Sequence, residues 1–574
     1  MKYRWITAPA QPVLVDFLVR ELQISPLLAQ CLLNRGLSEL DAIRAFLDPK
    51  LKNLADPFLL PNLSVAVDRL LQARERREVL VIFGDYDVDG VTATTLLFEV
   101  LTELGWKVQC YLPHRMDEGY GLTQSAVENC AAKYATSILL AVDCGSTAVE
   151  SIAWLRQRGI DVIVLDHHQV STPAPDAVAL VNPHQGTESR PFRELCSVGL
   201  AFKLAHALVK RGRELGLPGA AELDLKRYLD LVALGTIADL VPLLGENRIL
   251  VTAGLERLNQ TTRPGLLALK EVAQIEGRIQ GYEVGFQLAP RLNAAGRLET
   301  ATQSLELLLA RDRDTAMPIA QGLDVCNRER QNIERAIAEE VLTRVRARFD
   351  AENDLVIVEG ELCWHIGVVG IVASRVCQEF YRPSIILGGD GHEWRGSGRS
   401  IDGFDLAAAL RECGDLLVRH GGHAMAAGLS VNPARVNELC RRLNEIARRS
   451  LSAEQLQPRL RLDAEVEARD ISIERIGELL RLQQTGMGNP AVQFWCRGLN
   501  HHRPVQRIGA ERKHAKFWVT QSGGPAVEAI WWGAGELPLP VGTFDLAFVP
   551  KLNEYNGHTS VQLNVLDWRP GKSI

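Results

Sequence analysis

The sequence predicts a multidomain α/β protein: a parallel-sheet domain, a long connector helix, a second and smaller α/β domain, and a small C-terminal β-barrel. Three observations lead there. Short β-branched runs alternate with helix-like stretches between residues 78 and 181. A charged stretch over 311–350 keeps helical character throughout. Residues 451–574 turn to short alternating strands divided by Gly and Asn. At 574 residues the chain is too long for one core.

Residues 1–50 read as a helical, partly amphipathic region, with "VLVDFLVRELQ" and "ELDAIRAFLD". The first α/β domain covers 51–310. Its strands are "EVLVIF" (78–83), "SILLAV" (137–142), "DVIVL" (161–165) and "AVALV" (177–181), followed by GDYDVDG, DCGS, DHHQ and NPH. Apolar runs between helices imply βαβ units and a parallel sheet. The helical stretch 225–243, "LKRYLDLVALGTIADLVPL", holds Asp239 inside an apolar segment. The connector helix spans 311–350, the second α/β domain 351–450, and the barrel 451–574.

With 46% apolar and 23% charged residues, the composition is that of an ordinary globular protein. No uninterrupted apolar run is long enough for a membrane span, and "MKYRWITAPAQPVLVDF" lacks the apolar core of a signal peptide. Eleven scattered cysteines without a C-x-x-C pair fit reduced thiols, so a cytoplasmic protein is expected. A net charge of −6 requires any nucleic-acid surface to be concentrated locally.

The chemistry begins at GDYDVDG, where Asp85, Asp87 and Asp89 occupy alternate positions. The spacing matches the front of an EF-hand calcium loop, but that loop needs Glu at its twelfth position and a helix before it. Here the twelfth position is Leu96 and a strand precedes. Ligand sites of open α/β sheets lie at the carboxyl ends of strands. The loops carrying Asp85–Asp89, Asp143, and Asp166 with His167 and His168 are therefore expected to converge, joined by Asp239. An oxygen-rich set with an imidazole suits a pair of Mn²⁺ or Mg²⁺ ions, a site for in-line attack on phosphorus.

Together GDYDVDG, "VDCGS", DHH and "ALGTIADLVPL" resemble the four motifs of the DHH phosphoesterase superfamily. "YLPHRMDEGYGL", "APRLNAAGRLE", "CWHIGVVGIVASR", "RGSGRS" and "GGHAMAAG" narrow the resemblance to RecJ-type single-strand-specific exonucleases, in order along nearly the whole chain.

The resemblance implies a DHH catalytic domain, a DHHA1 substrate-binding domain and an OB fold. It implies 5′→3′ hydrolysis of single-stranded DNA to 5′-mononucleotides, in recombination and repair. Asp87 and Asp89 would each ligate one metal and Asp143 would bridge the two. His167 and Asp239 would complete the second metal, and Asp85 would support the first. Asp166 would orient its neighbours. Adjacent side chains on an extended segment point apart, so His168 is expected to face substrate phosphate rather than share an ion with His167. Arg115, Ser397 and Arg399 would hold the 5′-terminal phosphate, Arg297 would neutralise the scissile phosphate or its neighbour, and His423 would approach it from the DHHA1 domain. In the barrel, Phe517, Trp518, Trp531, Trp532 and Tyr555 lie among basic residues. About half are expected in the core, with Trp518 and Tyr555 as stacking candidates. "GGHAMAAG" lacks the Gly-Lys-Ser/Thr of an ATP loop and otherwise reads as a tight turn opening a helix. The resemblance also implies a helicase and a single-strand-binding protein as partners, and the lack of a heptad repeat points to a monomer. Two alternatives stand beside this: a DHH-family phosphodiesterase acting on short oligonucleotides or cyclic dinucleotides, and a DNA-binding scaffold without activity.

Overall fold

The computed structural model describes residues 3–114, 117–185, 190–298, 300–389, 393–535, 537–555 and 557–571. The chain forms two compact units.

The first unit comprises Asp41–Arg328 with Leu482–Ala491. At its centre lies an all-parallel sheet of β1 (Val79–Phe83), β2 (Lys107–Tyr111), β3 (Ile138–Val142), β4 (Asp161–Leu165) and β5 (Ala179–Val181), in the order β2-β1-β3-β4-β5. Four of these match predicted strands. β2, "KVQCY", was not predicted: it sits at the sheet edge, starts on an exposed Lys107 and is only partly buried. An edge strand lacks the continuous apolar signature of a central one. Side chains alternate across the sheet. Leu80 and Ile82 join one apolar core, while Val81 and Phe83 join the other.

Three helices matter for the site. α1 (Val88–Glu103) follows GDYDVDG directly and is buried along most of its length. α2 (Ser197–Glu214) and α3 (Leu229–Ala238) pack on it. Asp239 is not inside α3, as the apolar run implied; it is the residue capping its C-terminal end.

α4 (Arg313–Arg348) is a long helix where the charged stretch 311–350 predicts one. Its 36 residues amount to about 54 Å of helix, and i,i+4 pairs such as Arg330–Glu334 support it.

The second unit gathers Met1–Leu40, Glu329–Arg481 and Val492–Ile574. Its start is not wholly helical: Arg4–Thr7 is a strand paired in parallel with Arg459–Leu462. Such an edge is set by a partner more than 450 positions away, beyond the reach of local periodicity.

A five-stranded sheet follows, built from β6 (Ile357–Glu361), β7 (Ser384–Gly389), β8 (Trp394–Arg399), β9 (Leu417–His423) and β10 (Ala426–Val431), in the order β9-β10-β8-β7-β6. Helix α5 (Val369–Phe380) packs against β7 and β8. "GGHAMAAG" opens no helix. It is the β9–β10 hairpin, in which His423 pairs with Ala426 across a two-residue turn. Small residues permit this close strand pairing as readily as a helical turn, so local sequence could not separate the two.

The C-terminal part is a closed barrel of β11 (Phe494–Ile508), β12 (His514–Thr520), β13 (Val527–Trp531), β14 (Phe544–Tyr555) and β15 (His558–Pro570). The order is β11-β12-β13-β15-β14, and β14 returns to pair with β11. Phe494, Phe517, Phe544 and Phe548 fill it. All eleven cysteines are free thiols. Among the described residues no helix is long and apolar enough to cross a membrane.

Candidate metal centre

The carboxyl ends of the parallel strands bring the acidic loops together. Asp87 caps α1, accepting a hydrogen bond from Gly90 N (3.1 Å). Asp89 lies in the first turn of α1 and is buried. The EF-hand reading fails structurally as well: β1 precedes the loop, and Leu96 is in the core. The terminal Gly90 of the loop is required sterically, since a Cβ there would lie 2.7 Å from Asp85 O.

Asp143 follows β3 in the left-handed backbone region, with φ 64°. That conformation costs a non-glycine residue on the order of 1 kcal/mol or more and persists where the surroundings enforce it. Here Asp143 N donates to Leu165 O, and Ser197 Oγ donates to Asp143 Oδ1 (2.8 Å).

Three sets of ligand-type atoms result among the described residues. Asp85, Asp87 and Asp143 form one, Asp89, His167 and Asp239 a second, and Asp143, His167 and His168 a third, so the two histidines are not kept from a common ion by pointing apart; within each set the atoms lie no more than 4.8 Å apart. Asp143 also faces the second set, with Oδ1 3.5 Å from His167 Nε2. The same nitrogen lies 3.6 Å from Asp239 Oδ2 and 3.9 Å from Asp89 Oδ2. These separations are too long for hydrogen bonds. His167 Nε2 and Asp239 Oδ2 are both buried and have no hydrogen-bond partner among the described residues. Buried polar atoms left this way carry a desolvation penalty, and a shared cation among them would remove it. The donor set of carboxylates with one imidazole fits Mn²⁺ or Mg²⁺.

Electrostatics point the same way. Burial, together with the charge of Asp87, pushes Asp89 up to about 7 despite the N–H donors of Ser197 and Val198. Burial and the charges of Asp89 and Asp87 push Asp239 up to about 9. Asp143 is driven well above the carboxylate range by burial and by Asp87, Asp89, Asp85 and Asp239. Burial, aided by His168, brings His167 down to about 4 and keeps it neutral at physiological pH, the form that binds metal. The cluster thus concentrates more negative charge than its burial favours, which a bound cation would offset.

His167 and His168 do not diverge as extended neighbours would; their ring centroids are 4.4 Å apart. They lie in the loop after β4, where strand alternation no longer applies. His168 has a different environment, with Nδ1 2.8 Å from Asp166 Oδ1 and Nε2 3.2 Å from Tyr120 Oη. Burial opposes its charge, but the hydrogen bond to Asp166 and the charges of Asp166, Asp239 and Asp85 raise it to about 9. Asp166 is buried and also accepts from Ser146 N (3.0 Å) and His168 N (3.1 Å). Asn182, from NPH, donates to Ser146 Oγ and His168 O and locks the loop.

A cavity of about 270 Å³ opens over the cluster, lined by residues including Asp85, Asp87, Asp89, Asp239, Tyr120 and Arg297. Asn293, on the same helix as Arg297, accepts from Val88 N and pins the loop before α1. His168 lines a neighbouring cavity of about 430 Å³, and Tyr120 borders both.

The sequence reading passed over Ser197, Asn182, Asn293 and Tyr120. Ser197 had a signal: a serine opening an apolar helical run. The first turn of α2 donates Ser197 N and Val198 N to the Asp89 carboxylate at 2.6 and 2.7 Å, as expected of an anion at a helix N-terminus.

In the other unit, Ser397 and Arg399 lie on β8, where Arg399 Nη1 donates to Ser397 Oγ (2.9 Å). Both crowd the first turn of α5; a Cβ on Gly370 would sit 3.0 Å from Ser397 Oγ. His423 is exposed at the hairpin tip. Arg115 lies outside the described residues. In the barrel, Phe517 is core, Trp518 and Trp531 are partly buried, and Trp532 is exposed. Arg503 and Lys516 stand over the Trp518 ring at 5.2 and 5.1 Å. The Tyr555 side chain lies outside the described residues.

Three family models match the chain: the DHH family N-terminal domain over 79–236, the DHHA1 domain over 353–449, and the RecJ OB domain over 462–567. The chain is 38% identical to the single-stranded-DNA-specific exonuclease RecJ of Bacillus subtilis, across 99% of this chain and 71% of that protein. It is 34% identical to the protein of that name from Escherichia coli, across 94% and 95%. RecJ of Thermus thermophilus in complex with Mn²⁺ superposes with a TM-score of 0.85 at 30% identity, covering 100% of this chain and 80% of that one. The Mg²⁺ complex gives 0.78 at 29% identity, with 100% and 79% covered. A chain that carries these three domain models and matches such relatives over nearly its whole length at this identity belongs to the RecJ family of DHH-domain exonucleases.

Proposed function

We propose that this protein is a two-metal exonuclease that hydrolyses single-stranded DNA from the 5′ end to 5′-mononucleotides. The carrying observation is the cluster itself: five buried or half-buried carboxylates and a neutral imidazole converge beside a 270 Å³ cavity, and among the described residues His167 Nε2 and Asp239 Oδ2 have no hydrogen-bond partner. Family membership selects the substrate class, since relatives are named for single-stranded DNA.

Asp85, Asp87 and Asp143 would hold one cation, and Asp89, Asp143, His167 and Asp239 the other. When bound, Mn²⁺ or Mg²⁺ ions supply Lewis acidity, lowering the pKa of attacking water and offsetting charge on the phosphodiester. The protein does the rest. The backbone donors of α2 fix Asp89, and Ser197 Oγ fixes Asp143. Arg297 lines the same cavity and would offer a cation to a phosphate that otherwise faces four carboxylates. Asp166 holds His168 through Nδ1 in the wall of the neighbouring cavity, from which its imidazole would face substrate phosphate. Arg115, Ser397 and Arg399 would grip the terminal 5′-phosphate, setting polarity and one-nucleotide steps, and His423 would approach the scissile group. Ser397 and Arg399 suit that role: an arginine and a hydroxyl set against a helix N-terminal turn are anion donors. Trp518 between two cations suits stacking on bases. The finer reading adds a cytoplasmic monomer working beside a helicase and a single-strand-binding protein.

The test is purified protein with Mn²⁺ on strands labelled at either end. Release beginning at the 5′ label on single strands is expected, and degradation starting at the 3′ end would refute the polarity. Asp143→Ala should abolish cleavage while single-strand binding persists; substantial residual cleavage would remove the two-metal assignment.

A further inference from the structure

Tyr120 is an exposed aromatic tied to the site by its hydroxyl and by two edge-on ring contacts. Its relative exposure is 53%. Its hydroxyl lies 3.2 Å from His168 Nε2, and His168 Nδ1 lies 2.8 Å from the buried Asp166 carboxylate. The ring meets Tyr86 and His168 edge-on, with centroids at 5.9 and 6.1 Å.

The loop carrying it is anchored from below. The Glu118 carboxylate is 9% exposed and accepts from Tyr111 Oη, His114 N and Asn129 Nδ2, while Thr123 Oγ1 donates to Glu118 O. Three donors satisfy the buried carboxylate, so the segment is held in one geometry. The ring stands between the 270 Å³ cavity over the carboxylates and the 430 Å³ cavity lined by His168. His168 does not reach the first cavity; Tyr120 does.

We propose that Tyr120 is a further positioning residue of this reaction, through which the Asp166–His168 pair acts on the phosphodiester in the metal cavity. With both ring nitrogens engaged, His168 has one orientation. The phenol completes the chain Asp166–His168–Tyr120 and places its hydroxyl in the wall that the scissile phosphate faces. The inference rests on the proposed reaction, and specifically on His168 serving it.

The experiment is a double-mutant cycle with Tyr120→Phe and His168→Ala in the full chain, measuring kcat and KM on a 5′-phosphorylated single strand and Mn²⁺ affinity. Tyr120→Phe keeps the ring and removes one hydrogen bond. It is expected to lower kcat roughly twofold to tenfold, with KM, Mn²⁺ affinity and the thermal midpoint nearly unchanged. The double variant should be no slower than His168→Ala alone. Wild-type kcat in Tyr120→Phe, with His168→Ala impaired, would overturn the role of the hydroxyl. Losses that multiply in the double variant would show that Tyr120 does not act through His168 and would equally overturn it. An unimpaired His168→Ala would overturn the reading of His168 and this inference together.

Discussion

Ser197→Ala removes one oxygen and tests whether the bridging carboxylate is held from behind. Ser197 is fully buried, and its hydroxyl donates to Asp143 Oδ1 at 2.8 Å. A hydrogen bond to a charged acceptor is worth about 1.5–3 kcal/mol. At about 1.4 kcal/mol per tenfold, its loss translates to roughly 10- to 150-fold weaker cation binding, in line with the 10–100-fold typical of groups behind metal ligands. The two backbone donors to Asp89 survive, because they belong to the main chain of α2. The effect should therefore fall on the metal more than on the fold. Calorimetric Mn²⁺ titration of chelator-stripped protein should show weaker affinity, while the thermal midpoint in chelator drops only slightly. If Mn²⁺ affinity is unchanged within about twofold, Asp143 is not positioned by Ser197 and the argument for a bridging role from this geometry fails.

Further outcomes follow from the same structure. Asp89 and Asp239 have folded pKa values raised to about 7 and about 9 from 3.8, by burial first and neighbouring carboxylates second. The folded state then binds protons more tightly than the unfolded one. This contribution is favourable below pH 3.8 and is lost as pH rises toward 7 and 9. Chelated protein should lose stability across that window, and saturating Mn²⁺ should flatten the slope; identical slopes with and without Mn²⁺ would contradict the cluster's electrostatics. Phe517→Ala empties a fully buried position in the barrel and should destabilise it by about 3–5 kcal/mol. Trp518→Ala should leave stability nearly intact but weaken single-strand binding by about 1–3 kcal/mol. Binding losses in the opposite order, read by fluorescence anisotropy, would relocate the stacking surface.

Periodicity and motif order carry a large share of this protein unaided. Apolar runs ending in acid-rich loops place β1, β3, β4 and β5 in a parallel sheet, and a parallel sheet puts its loops at one edge. That is why Asp85, Asp87, Asp89, Asp143 and His167 could be grouped from sequence: strand ends are local properties, and their convergence follows from topology, whereas Asp239, at a helix end, was joined to them through an apolar run and the motif resemblance. The excluded calcium loop was equally local, needing only Leu96 and the preceding strand. What packing alone decided is different in kind. Edge strands such as Lys107–Tyr111 and Arg4–Thr7 take their conformation from distant partners. Asp239 ends a helix instead of riding inside one, and "GGHAMAAG" became a hairpin, because small residues satisfy either geometry. Ser197, Asn182, Asn293 and Tyr120 hold the site by hydrogen bonds between segments separated by 14 to 205 positions, and nothing in their local sequence sets them apart as strongly as those tertiary neighbours do. A side chain's type announces its chemistry; the atom it meets across such a separation is fixed only once the backbone has closed around both.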